Sequence, residues 1–196
     1  MNTTIINSMR ATVFCTLAAV AFCVQDLPVV RNALPGVRVG QTYQLYGIAS
    51  TDSPDRKGSI VLTKGLKVSK NIPLLLNHIP SQQLGRVEEF VKTPDGILYI
   101  RAMITVNRDN LKAVRALVNK DVSFLSIGFL PGNITADSAD NVLITSGDLL
   151  EISATPTPAN GECRIDTVVK ADLGIISLVE GMFASDNANV KLTERD

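Results

Sequence analysis

Short apolar runs, each cut off by Gly, Pro, Asn or Asp, follow one another along most of this 196-residue chain. That punctuation admits strands in series far more readily than long helices. Residues 43–50 read as a strand, followed by a polar loop over 51–58 that contains Pro54. Residues 72–77 read as a short buried strand that ends at His78, with Pro80 breaking any continuation. Residues 85–93 and 97–106 flank Pro94, Asp95 and Gly96, which is hairpin chemistry because Asp-Gly supplies the left-handed backbone of tight turns. Residues 123–129 and 142–154 supply the remaining core strands, with a polar loop over 132–141 between them.

Helical spacing is confined to few places. Over 109–119, Leu111, Val114 and Val118 recur on one face, Lys112 and Arg115 take the outer side, and Asn107 or Asp109 can cap the orphan amides. Residues 168–183 are mostly apolar with few charges and read as a C-terminal helix. The pattern predicts an α+β domain whose β-rich, barrel-like core is built of mostly antiparallel strands with flanking helices. The expected division is an N-terminal apolar segment and connector over 1–41, the folded domain over 42–184 and a solvated tail over 185–196.

Composition narrows the function classes. Nineteen basic and nineteen acidic residues cancel, so no global field recruits nucleic acid or a membrane surface. The chain has no tryptophan and few aromatic residues on which bases could stack. Cys15, Cys23 and Cys163 are too widely spaced for a Cys-x-x-Cys metal or redox motif, and no phosphate-cradling glycine loop or dinucleotide fingerprint occurs. No cofactor and no metal are therefore implied. An odd cysteine count without a framework points to a reducing compartment. Residues 11–24 are fourteen uncharged positions behind Arg10, too few to span a bilayer as a helix, which takes roughly twenty. A secretory signal cleaved after Ala21 is one reading of them. A segment that stays attached and packs on the domain or an assembly partner is the favoured one, since Thr12, Cys15, Thr16 and Cys23 dilute the run.

His78 is the only histidine, and no other side chain has an unperturbed pKa that places its charge change near neutrality. It follows Leu74, Leu75, Leu76 and Asn77, a setting that would equally suit a packed, hydrogen-bonded histidine. Two further phrases carry a hydroxyl and a carboxylate within strand-like stretches: Leu125-Ser126-Ile127-Gly128-Phe129 and Leu149-Leu150-Glu151-Ile152-Ser153. Serine, histidine and acid are the parts of a serine hydrolase, in which a base must take the hydroxyl proton and a third group must orient the base. Phe124 stands where a Gly-x-Ser-x-Gly elbow would begin, which argues against an α/β-hydrolase. Ser123 falls on the opposite face of an alternating strand from Ser126. Ser153 shares a face with Glu151 and reads as a strand hydroxyl beside it. Glu151 is an acid among Leu and Ile, where a buried charge needs a partner. Asp148, Glu88 and Glu89 are the other acids to weigh, and Cys163 is a rival nucleophile. Gly128 would permit close approach by a substrate strand or neighbouring loop.

Between Tyr46 and Ile165 the chain resembles the caudovirus prohead maturation proteases, phage relatives of herpesvirus assemblin. The resemblance rests on Gly47-Ile48-Ala49-Ser50, Leu74-Leu75-Leu76-Asn77-His78, Leu84-Gly85-Arg86-Val87, Asp95-Gly96-Ile97-Leu98-Tyr99, the Ser126 and Glu151 phrases, and Pro158-Ala159-Asn160, all in family order. It implies a herpesvirus-protease-like fold and a serine endopeptidase that cleaves scaffold and major capsid precursors during head assembly. Ser126 and His78 would be the catalytic pair, with Glu151 in the place where the herpesvirus relatives use a second histidine. Residues 159–164 would lie near the serine, where Arg164 could help neutralise developing charge. The expected location is the immature head in the host cytoplasm, with secretion as the rival. Self-association is compatible with the resemblance, and neither nucleic acid nor membrane is an expected partner. A rival function is a catalytically inactive scaffold or assembly component with the same fold.

Overall fold

Alternation in the sequence becomes a two-faced sheet. In β6 (Ile97–Thr105), Leu98, Ile100, Ala102 and Ile104 are all fully buried, while Ile97, Tyr99, Arg101 and Met103 between them are only partly so. Burying such side chains contributes about 1.5–3 kcal/mol each, which fixes which face of the strand turns inward. The computed structural model describes residues 36–137 and 141–171. Residues 11–24, whether signal or docked segment, lie outside them.

Eight strands form the main sheet. They are β1 (Thr42–Thr51), β3 (Leu66–Lys67), β4 (Pro73–Leu76), β5 (Ile79–Lys92), β6, β7 (Phe124–Pro131), β10 (Gly147–Thr155) and β11 (Arg164–Lys170). Their order is β11-β1-β6-β5-β4-β10-β3, and β7 pairs with β10. Pairings are antiparallel except that β10 runs parallel to β4 and β3. Strands β2 (Ser59–Val61), β8 (Ile134–Ala136) and β9 (Val142–Ile144) make a second, three-stranded sheet.

The strand-rich architecture agrees with expectation, with differences in detail. The barrel-like expectation is not met by closure: no ladder joins β11 to β7, and one backbone bond, from the Ile165 N–H to the Ser123 carbonyl at 2.8 Å, spans that gap. Only one α-helix, α1 (Leu111–Val118), lies among the described residues, so helices flanking the core on several sides are not seen there. The expected C-terminal helix fails at its start, because Val168, Val169 and Lys170 extend β11 along β1, and residues 172–183 lie outside the described set. Residues 142–154 are two strands, broken at Thr145 and Ser146. The loop expected over 132–141 contains β8.

Two local devices position the site. Pro80 does not end the chain's extended run; it lies inside β5, after a two-residue turn. That turn is Asn77 and His78, with φ of 53° and 61°, between the paired residues Leu76 and Ile79. Positive φ at both central residues is the backbone that matches the right-handed twist of a hairpin, and asparagine tolerates it well. The second device is a bulge in β10. Leu149 pairs with Phe129, but Glu151 pairs with Gly128 and Ser153 with Ser126, leaving Leu150 as the extra residue, 57% exposed.

Candidate functional site

Residues directly opposite in an antiparallel pair project to the same face. Beyond the bulge, Ser126, Gly128, Glu151 and Ser153 therefore share one face of the β7–β10 pair. The Asn77-His78 turn packs over that face, held by the Asn77 N–H to the Ala154 carbonyl at 3.0 Å and the His78 N–H to Ser153 Oγ at 2.9 Å. His78 Nδ1 lies 2.6 Å from Glu151 Oε1, and Ser153 Oγ donates to Glu151 Oε2 at 2.7 Å. The imidazole is 44% exposed and the glutamate side chain 14%.

That pairing assigns the tautomer. An ionised carboxylate only accepts, so Nδ1 carries the proton and the lone pair of the neutral ring resides on Nε2. Nε2 has no hydrogen bond among the described residues, and none links the ring to Ser126 Oγ. Ser126 is 6% exposed and lines a cleft of about 60 Å³, together with Ser50, Thr51, Asn160 and Cys163. The loop after β10 reaches this cleft as expected, through Ala159, Asn160 and Cys163. Asn160 Nδ2 anchors it by donating to Thr51 Oγ1 at 2.9 Å and the Ser53 carbonyl at 3.3 Å. Arg164 does not line the cleft: its Nε donates to Asp166 at 2.8 Å.

The other candidates fall elsewhere. Asp148 is exposed near the start of β10, opposite Leu130. Glu88 and Glu89 both pair with Arg101, at 3.4 and 2.6 Å. Ser123 donates to the Lys120 carbonyl at 2.7 Å, ahead of β7. The Cys163 thiol is pushed up to about 12 by burial, reinforced by the neighbouring Glu162 charge, so at neutral pH it is a thiol rather than the reactive thiolate. No group of three or more His, Cys, Asp or Glu is placed to hold a metal ion among the described residues.

The expected approach of Glu151 to a ring nitrogen of His78 is present at 2.6 Å, and the structure adds that Ser126 shares the face of Glu151. Sequence reasoning undervalues Ser153, whose hydroxyl bonds the turn and the carboxylate at once. It also assigns the wrong neighbour to Gly128. A Cβ there would lie 2.0 Å from Glu151 Oε1, so the space that glycine leaves is filled by the carboxylate rather than by a substrate strand or loop. The Asn-His dipeptide after the apolar run Leu74–Leu76, read as a hairpin turn, was the available signal for the geometry of the base.

This face gathers a hydroxyl, an imidazole and a carboxylate, the side-chain types that acyl-transfer chemistry uses, and of the three Ser126 lines the cleft while His78 and Glu151 do not. The chain belongs to the caudovirus prohead serine protease family, whose model matches residues 54–173. Over 141 residues it is 32% identical to the capsid polyprotein of Pseudomonas phage PAJU2. That match covers 65% of this chain and 20% of the relative, so the chain spans about a fifth of the relative's length. Its fold is similar to that of the protease of Kaposi's sarcoma-associated herpesvirus, crystallised with a hexapeptide phosphonate inhibitor. The TM-score is 0.52 and the identity 13%, over 76% of this chain and 74% of that one.

Proposed function

We propose that this chain is a serine endopeptidase that processes scaffold and major capsid precursors inside the immature phage head, in the host cytoplasm. The observation that carries the reading is the His78–Glu151 pair at 2.6 Å, seated over the sheet face that bears Ser126. Family membership supports the protease class.

In this reading Ser126 Oγ attacks the scissile carbonyl and forms the C–O bond, while its proton passes to His78 Nε2. Glu151 stabilises the imidazolium through Nδ1. The C–N bond breaks as His78 returns the proton to the leaving amine, and water then hydrolyses the acyl-enzyme by the same base. The attack requires Ser126 Oγ and His78 Nε2, which share no hydrogen bond among the described residues, to be brought together when substrate binds.

The test is co-expression with the phage's capsid and scaffold proteins, with and without Ser126→Ala, followed by sequencing of new termini. New termini that vanish in Ser126→Ala and in His78→Ala support the reading. Undiminished processing by either variant overturns the assignment. No new terminus with the unsubstituted chain overturns the peptidase function in favour of an inactive assembly component.

A further inference from the structure

We infer that Ser153 is a positioning residue, whose single hydroxyl fixes both the base and the carboxylate of this site; the inference rests on the peptidase reading above. Ser153 is fully buried in the C-terminal half of β10, paired with Ser126 on one side and with Leu75 on the other. Its hydroxyl has one proton, given to Glu151 Oε2 at 2.7 Å, and it accepts the His78 N–H at 2.9 Å. Both bonds are made to parts of the site that would otherwise drift.

The need for each bond is physical. His78 sits at φ 61°, in the left-handed region that a β-substituted side chain disfavours. Something must hold that backbone while the ring stays half exposed, and the acceptor on Ser153 does so. Glu151 Oε1 already serves His78 Nδ1, and a carboxylate bonded through one oxygen alone can swing about its last torsion. The donor on Ser153 removes that freedom by tying Oε2. Imidazole and carboxylate are thereby locked to one point of β10, in register with Ser126.

The same geometry excludes Ser153 as the nucleophile. Its proton is committed to Glu151, and it is enclosed, whereas Ser126 lines the cleft. Two serines one strand apart thus divide the work: one can react and the other holds.

His78 is the only histidine, so imidazole-selective ¹⁵N labelling gives one pair of ring signals, Nδ1 and Nε2, whose separate shifts read its tautomer directly. We would record it in the Ser126→Ala background, with and without Ser153→Ala. In parallel, a fluorophosphonate probe would be reacted with the chain carrying Ser126. In that reaction Oγ–P forms, P–F breaks, fluoride leaves and His78 takes the serine proton. The expected result is a single Nδ1–H tautomer that becomes a mixture in Ser153→Ala, with maximal inactivation rate falling up to about a hundredfold and probe affinity unchanged. Ser153→Cys, near in size but a weak donor, should fall between the two, and it decides the matter if Ser153→Ala does not fold. An unchanged tautomer, or an unchanged inactivation rate in a chain that the probe labels at Ser126, overturns the positioning role. Failure of the probe to label Ser126 in the parent chain overturns the peptidase reading instead, and the tautomer measurement still decides what Ser153 holds.

Discussion

Gly128→Ala isolates the Glu151–His78 contact from the residues that make it. The added Cβ would stand 2.0 Å from Glu151 Oε1, 2.8 Å from its Cδ and 2.9 Å from its Cγ. Ordinary van der Waals contact begins at 3.4 Å, so the carboxylate must retreat by more than about 1 Å. Gly128 has no positive φ, and the clash is with the end of a side chain, so the strand itself need not distort. The cost in stability is the loss of hydrogen bonds to a mostly covered carboxylate, about 1 kcal/mol, or a fall of about 2–4 °C in Tm for a chain of this size. The cost in rate is larger. A 1 Å misplacement costs about a hundredfold, and full loss of base orientation about ten-thousandfold. Fluorophosphonate inactivation should therefore slow by about two to four orders of magnitude in a protein that melts only about 2–4 °C lower. Labelling within threefold of the parent rate, with the Nδ1–H tautomer intact, would refute the argument that the glycine exists to admit the carboxylate.

Glu151→Gln keeps the shape of the acid but removes its charge, so turnover should fall by about ten-thousandfold or less while Ser126→Ala is more severe, read as product termini over time. His78→Gly should abolish processing while leaving Tm close to the parent value in thermal melts at pH 7, because about 1 kcal/mol of relieved left-handed strain offsets about 1 kcal/mol lost with the Glu151 bond. Cys163 is a neutral thiol in the folded chain and its pKa is raised, so the stability it contributes is complete below about pH 9 and is lost as pH climbs toward about 12. The Tm of the parent should accordingly fall more steeply above pH 9 than that of Cys163→Ala, and parallel curves would contradict it. Leu150→Ser, at a position 57% exposed, should change stability by less than about 0.5 kcal/mol in urea melts.

Strands with clean alternation were legible from sequence, and β6 is the clearest case, as was the Pro94-Asp95-Gly96 turn, where Gly96 takes φ 82°. The helix was legible too, although Asn107 caps the turn ahead of it, accepting the Asp109 and Asn110 N–H groups, while Asn110 ties itself to the Leu84 and Thr105 carbonyls. The three-stranded sheet was not, because Ser59, Ile60 and Val61 gain their pairing only from residues 142–144, which local pattern cannot supply. Pro80 misled for a related reason. Its missing N–H forbids an inner ladder position, but residues 80–82 bow out between the pairs Leu76–Ile79 and Leu75–Gln83, where no such bond is required. Of the site, the residue types and the His78–Glu151 partnership could be argued from the cost of an acid among apolar neighbours. The distances could not, since His78, Ser126 and Glu151 come from three strands or turns that only tertiary pairing aligns.

The bulge at Leu150 explains why an acid can occupy this strand at all. Leu149 and Ile152 both belong to the core, yet they are three positions apart, which strict alternation forbids. Without the bulge, in a strand that alternated strictly through Leu150, Glu151 would follow the parity of Leu149 and point its charge into the apolar interior, at a cost of several kcal/mol. With it, parity switches once: Leu149 stays inside, Leu150 is extruded to solvent, and Glu151 turns to the face that Ser126, Gly128 and Ser153 share. The same switch returns Ile152 and Ala154 to the core, so the strand gives up no buried packing beyond one leucine. Carboxylate and positioning hydroxyl thus reach the Ser126 face because the strand breaks its alternation at Leu150. The base alone comes from elsewhere, on a left-handed hairpin turn whose backbone is bonded to that strand at Ser153 and Ala154.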